Sequence, residues 1–145
     1  MAMANDLDKG FTAMLLIFVI SPCTDTFAYL VGSLIGGKKM CPKLSPKKTW
    51  SGGIGGLLGG VVGSLLAYLI FPVEVNFFSP ILLFIIVGVF ASVLTQVGDL
   101  FESFIKRKAG IKDMGNIMPG HGGVLDRIDG TMFASVLIFI VFALV

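Results

Sequence analysis

Four apolar stretches, roughly 10–37, 53–71, 80–104 and 130–145, alternate with polar segments along the chain. A helix needs about 20 mostly apolar residues to cross the hydrocarbon core of a bilayer. The pattern therefore predicts an all-α, polytopic membrane protein with about four transmembrane helices, forming a single membrane domain over 1–145. The first stretch opens on Phe11-Thr-Ala-Met-Leu-Leu-Ile-Phe-Val-Ile20, is interrupted by Ser21-Pro22 and Asp25, and resumes at Phe27-Ala-Tyr-Leu-Val31. Proline removes a backbone donor, so this span is expected to be kinked, with neighbouring helices or water satisfying the freed carbonyl. The fourth stretch is barely long enough, since Thr131 to Val145 is 15 residues.

Composition sharpens this picture. Only 14% of the 145 residues are charged and 55% are hydrophobic, where a soluble domain carries roughly a quarter charged. A mean hydropathy of +0.94 leaves too little polar surface for a soluble enzyme, a disordered chain or a coiled coil. Cys23 and Cys41 make no disulfide framework and read as free thiols. No short basic and apolar leader precedes a small-residue cleavage site, so no removable signal peptide is expected.

Charge placement orients the spans. Lys38, Lys39, Lys43, Lys47 and Lys48 fall between the first two stretches, and Lys106, Arg107, Lys108, Lys112 and Arg127 between the last two. Those two segments hold ten of the eleven basic residues and are separated by two spans, so both lie on one side. The positive-inside rule makes that side cytoplasmic. Both termini then face outward, and the short outer connection from Pro72 to Ser79 carries only Glu74. The second stretch is dense in glycine (Gly52, Gly53, Gly55, Gly56, Gly59, Gly60 and Gly63). Such overlapping small-xxx-small patterns pack helices backbone to backbone. The run follows Lys47-Lys48-Thr49 but lacks the Gly-Lys-Ser/Thr order of a phosphate-binding loop.

Ionisable residues inside a span cost about 2.5 to 3.5 kcal/mol on insertion scales, which marks them as functional candidates. Here they are Asp25, which a hydrogen bond between helices would also explain, and Asp99. On the third helix Gln96, Asp99, Ser103 and Lys106 or Arg107 recur at steps of three and four, which puts them on one face. Asp126 and Asp129, three apart before the fourth span, share a face if the helix has already begun. Convergence of Asp99, Asp126 and Asp129 at the cytoplasmic boundary, ringed by Lys47, Lys48, Lys106, Arg107 and Lys112, would suit Mg²⁺ and substrate phosphates. Flanking lysines such as Lys38, Lys39 and Lys108 read more simply as topological anchors. His121, within Pro119-Gly-His-Gly-Gly123, reads as a turn residue, although its glycines would also let the backbone approach a ligand.

The stretch Ser103-Phe-Ile-Lys-Arg-Lys-Ala-Gly-Ile-Lys112-Asp-Met-Gly-Asn-Ile-Met-Pro-Gly-His121-Gly-Gly-Val-Leu-Asp126-Arg-Ile-Asp129 resembles the signature of the phosphatidate cytidylyltransferases, or CDP-diacylglycerol synthases. Asp25-Thr-Phe-Ala-Tyr-Leu-Val-Gly32, Leu44-Ser-Pro-Lys-Lys-Thr-Trp50 and Gln96-Val-Gly-Asp99 are similar to further blocks of that family. Together the blocks cover nearly the whole chain and correspond to the family's C-terminal, catalytic half. The resemblance implies transfer of the cytidylyl group of CTP to phosphatidic acid, giving CDP-diacylglycerol and pyrophosphate with Mg²⁺. It also implies a homodimer in the cytoplasmic (inner) membrane, a site facing the cytoplasm, and no nucleic-acid partner. By similarity Asp99 and Asp126 are metal ligands, Asp129 a supporting carboxylate, and Lys106 and Arg107 catalytic cations. Lys47, Lys48, Thr49, Ser103, Lys112 and His121 then bind substrate. Two departures stand out: family members are about twice this long, and Ser51 stands where they usually carry a glutamate. A nucleotidyltransferase for another lipid phosphate, a non-catalytic membrane subunit or fragment, and a small transporter are the competing readings.

Overall fold

In the computed structural model the described residues are 2–42, 44–70, 72, 79–111 and 125–144, with the backbone alone described at 2–9, 125–129 and 144. Four helices carry the fold: α1 (Ala2–Ile35), α2 (Trp50–Ile70), α3 (Pro80–Lys108) and α4 (Leu125–Leu144). The protein is an all-α polytopic membrane protein. Stretches of α1 (Gly10–Ile35), α2 and α3 are each long and apolar enough to cross a membrane, and α4 adds the shorter apolar run Gly130–Ala143. The first helix is continuous through Ser21-Pro22 and Asp25, although Pro22 lacks the N–H that would reach the Phe18 carbonyl.

The basic segment after α1 departs from a plain loop. Gly36 and Gly37 take positive φ values of 65° and 105°, a conformation that side-chain-bearing residues avoid, and this ends α1. The chain then pairs strand β1 (Lys39–Cys41) antiparallel with strand β2 (Ser45–Thr49), Lys39 opposite Thr49 and Cys41 opposite Ser45. Pro42 and Pro46 keep this stretch from continuing as helix. A lone two-stranded hairpin is marginal, and here both of its ends are tied down. The Trp50 N–H donates to the Lys38 carbonyl at 3.1 Å, and Thr49 caps α2.

Glycines decide how the helices approach. A Cβ placed on Gly52 would lie 2.7 Å from the Ala28 carbonyl oxygen, and one on Gly59 would lie 2.6 Å from that of Cys23. Both oxygens belong to α1. On the adjoining face of α2, a Cβ on Gly60 would lie 2.6 Å from the Gly88 carbonyl oxygen of α3. One helix thus carries two small-residue stripes, each admitting a neighbour's backbone, as lipid-embedded packing favours. Beyond the glycines the core is Leu16, Ile20, Ala67, Phe84, Val87, Ala91, Ala134 and Ile138. Phe84 is 1% exposed and sits between Tyr68, 5.0 Å away by ring centroid, and Phe142, edge-on at 6.4 Å.

Candidate active site

The hairpin and the C-terminal half of α3 close one end of the bundle. Lys48 on β2 donates to Asp99 on α3 at 2.9 Å, with the two side chains 31% and 21% exposed. This contact joins residues 51 apart in sequence and brings the first basic segment to the end of α3 that carries Lys106, Arg107 and Lys108.

Around that ion pair lies a cavity of about 680 Å³, inside the roughly 300–1,000 Å³ typical of small-molecule sites. One wall is the α1 face bearing Asp25, Tyr29 and Ser33, which recur every four residues. The lining also includes Lys39, Lys47, Lys48 and Thr49 from the hairpin, with Gln96 and Asp99 from α3. Gly36 and Gly37 line it too, and a Cβ at either would meet nothing within 4 Å. Gln96 is fixed by donating to the Gly53 carbonyl at 3.3 Å.

The hydroxyl of Thr49 is engaged in structure. The N–H of Gly52 donates to Thr49 Oγ1 at 3.1 Å, an N-cap bond to the third helical residue. Thr49 Oγ1 lies 3.1 Å from Ser51 Oγ, and Ser51 donates its own proton to the Gly36 carbonyl. Thr49 is therefore the donor to Ser51 in this chain of bonds, which runs from the start of α2 to the end of α1. Ser51 thus serves as a tie between two helix ends.

The fourth helix arrives at the same place. A Cβ on Gly130 would lie 2.8 Å from Asp99 Oδ1 and 2.7 Å from Thr95 Cγ2, so only glycine lets α4 rest there. Asp129 immediately precedes this contact and Asp126 stands one helical turn earlier, on the described backbone of α4; their side chains lie outside the described residues. Lys112 and His121 also lie outside the described residues. Among the described residues no three carboxylate, imidazole or thiol groups converge.

The polar stripe of α3 is divided. Gln96 and Asp99 line the large cavity, whereas Ser103, Lys106 and Arg107 line a second one of about 290 Å³ with Leu44, Ser45, Pro46 and Lys47. Lys47 borders both. Lys106 donates to Glu102 at 3.0 Å across one helical turn, and Glu102 is 7% exposed. Sequence reasoning passed over Glu102, and it read Lys39 as an anchor where it lines the cavity. The signal for Glu102 was its i,i+4 spacing to Lys106; nothing in the local pattern marked Lys39. Lys108, also read as an anchor, lies over the Phe104 ring at 5.5 Å.

The sequence model described as the cytidylyltransferase family matches residues 1–145. The phosphatidate cytidylyltransferase of Brucella abortus (strain 2308) is 42% identical over 136 residues, covering 94% of this chain and 48% of that protein. Those of Rickettsia conorii and Staphylococcus saprophyticus are each 42% identical, over 92% and 90% of this chain and 59% and 48% of their own lengths. The chain spans about half the length of the curated relatives it matches. A family match over residues 1–145 of this chain, agreeing with a basic, carboxylate-bearing cavity at one end of an apolar helix bundle, shows that the chain belongs to the cytidylyltransferase family.

Proposed function

We propose that this chain transfers the cytidylyl group of CTP to phosphatidic acid, releasing pyrophosphate and leaving CDP-diacylglycerol in the cytoplasmic (inner) membrane. The observation that carries this reading is the 2.9 Å Lys48–Asp99 pair on the wall of the large cavity, with the start of α4 resting on Asp99. Lysines crowd that end of the bundle, and the positive-inside rule turns it toward the cytoplasm, where CTP is dissolved.

In this reading an oxygen of phosphatidate's phosphate attacks the α-phosphorus of CTP. The bond from that phosphorus to the β-phosphate oxygen breaks, and pyrophosphate leaves with the electron pair. The phosphate nucleophile is already ionised, so no general base is needed, and His121 is assigned only to phosphate positioning. The chain's work is placement and charge neutralisation. Lys47 and Lys48 hold the triphosphate, helped by Lys39. Thr49 fixes β2 against α2 and so sets the direction of both lysines. Lys106, Arg107, Ser103 and Lys112 take the remaining phosphate oxygens.

The donor set suits Mg²⁺, a hard cation that prefers carboxylate oxygens. Asp25 and Asp99 line the cavity, and α4 brings the segment bearing Asp126 and Asp129 onto Asp99. Asp99 and Asp126 would hold the ion, with Asp129 in support, and Mg²⁺ bound there supplies charge neutralisation on the triphosphate. Purified chain given labelled CTP, phosphatidate and Mg²⁺ is expected to yield CDP-diacylglycerol, and Asp99→Ala to lower the rate by about 10²–10³-fold, the size of losing one transition-state charge contact. Transfer by the wild type to other lipid phosphates alone would shift the acceptor. No transfer by the wild type, or full turnover by Asp99→Ala, would remove the reading.

A further inference from the structure

Gln96 is the uncharged member of the α3 stripe that lines the large cavity, and its amide is held in one sense. The nitrogen donates to the Gly53 carbonyl at 3.3 Å. A carbonyl oxygen only accepts, so the end of the amide that meets it has to be the NH₂ group. The donor is thereby committed to α2, and the oxygen is left as an acceptor. Among the described residues that oxygen takes no hydrogen bond, and it is not one of the polar atoms sealed away without a partner. It answers a donor brought into the cavity.

The surroundings of Gln96 leave room for a ring. A Cβ on Gly56 would meet the Gln96 nitrogen at 2.8 Å and Ala28 Cβ at 3.3 Å, and one on Gly53 would lie 3.5 Å from the Gln96 oxygen. Ala28 and Gly53 both line the cavity, and with at most a methyl group between them they let a flat edge come close. Charge divides the cavity as well. Lys39, Lys47 and Lys48 stand on the hairpin, whereas Gln96 lies about one helical turn from Asp99, on the side away from Lys106, Arg107 and Lys108. A nucleotide whose phosphates meet the hairpin lysines turns its base toward the uncharged end.

We propose that Gln96 reads the nucleotide base: its oxygen accepts a hydrogen bond from the exocyclic amino group of cytosine, while its nitrogen stays on the Gly53 carbonyl. Cytosine presents an N–H donor at that position. Uracil has a carbonyl oxygen in the same place, which sets acceptor against acceptor. A site built around a fixed polar group discriminates through the bond that the wrong substrate cannot make. The lock on α2 matters here, because a freely turning glutamine would offer its NH₂ group to uracil equally well. The inference rests on the transferase reading above and adds the residue that chooses between pyrimidine nucleotides.

The test is competition binding to the full chain in detergent. CTP and UTP are each titrated against labelled CTP, the ratio of their Kd values is the readout, and thermal unfolding checks that each variant is folded. Wild-type chain is expected to favour CTP by about 10–100-fold, the size of leaving one polar group unpaired. Gln96→Met, unbranched and without a hydrogen-bonding amide, is expected to bring the two nucleotides to similar affinity. Gln96→Glu, whose carboxylate presents acceptors whichever way it turns, is expected to keep the preference although it loses the bond to Gly53. Should Gln96→Met fail to fold, Gln96→Lys, which offers donors alone, is expected to turn the preference toward UTP. A residue that merely ties α3 to α2 would weaken both nucleotides alike and leave the ratio unmoved. A wild-type ratio in folded Gln96→Met or Gln96→Lys, a lost preference in folded Gln96→Glu, or equal binding of CTP and UTP by the wild type overturns the inference. Cytidylyl transfer with a ratio that Gln96→Met does not move removes the inference and leaves the transferase reading. Discrimination that depends on Gln96, in a chain that transfers nothing, does the opposite.

Discussion

Phe84 and Asp99 stand on the same helix, 15 residues apart, which is about 22 Å at 1.5 Å per residue. Around Phe84 everything is shape: Tyr68 and Phe142 enclose the ring, and Ala91 and Ala134 fill the space between helices. Around Asp99 everything is charge and hydrogen bonding, from Lys48 at 2.9 Å to a cavity open enough to admit a ligand. The difference teaches that one bundle is held in two ways. Lipid is as apolar as leucine, so the apolar end gains its hold from close contact rather than from escape from water. The polar end is held instead by directional bonds, among them Lys48 to Asp99 and Gln96 to the Gly53 carbonyl.

Three substitutions test that division. Gly59→Leu should have the largest effect, because a Cβ there already falls 2.6 Å from the Cys23 carbonyl and 2.7 Å from Phe27 Cβ. Backbone has little room to yield, so overpacking should cost about 3 kcal/mol, the upper end of its usual range, read as loss of monodisperse protein in detergent. Normal melting of this variant would break the claim that α1 and α2 meet along glycine. Next comes Phe84→Ala. In a soluble core the cost is about 3–5 kcal/mol; with lipid as the reference solvent the transfer part falls away, and about 2 kcal/mol of lost packing remains. Thermal unfolding should report it, with nucleotidyl transfer falling only in step with the folded fraction. The smallest stability effect is expected for Lys48→Met. A partly exposed pair contributes about 1 kcal/mol or less, so melting should shift little. If Lys48 holds the triphosphate as proposed, transfer from CTP should nevertheless drop at least about 10-fold. A variant that melts early and keeps its rate would reverse the assignment of the polar end.

Much of this was legible in the chain. Hydropathy marked the apolar stretches, and the glycine run marked close packing, because both depend on local composition. The spacing of Gln96, Asp99, Ser103 and Lys106 fixed a common helical face, since a period of 3.6 residues needs no partner to be read. That the same face serves two cavities was not legible. β2 passes across it and sets Lys47 at the border, and periodicity in one helix carries no information about what crosses it. The hairpin itself was missed because its strands are short and two of its residues are prolines. Nothing in the local sequence sets Gly130 apart from any glycine near a helix start; its role comes from α4 resting on Asp99.

Sequence by itself therefore determined the membrane class, the grouping of the basic residues into two segments, and the residue types that can hold a phosphate or a hard cation. These follow from transfer free energies and helical geometry, which act on each segment separately. Tertiary structure alone decided that Lys48 reaches Asp99 across 51 positions, that Thr49 and Ser51 spend their hydroxyls tying α2 to α1, and that Lys106 is anchored by a buried Glu102. Pairings of that kind depend on how helices are placed against one another, and that placement follows from packing summed over the whole bundle.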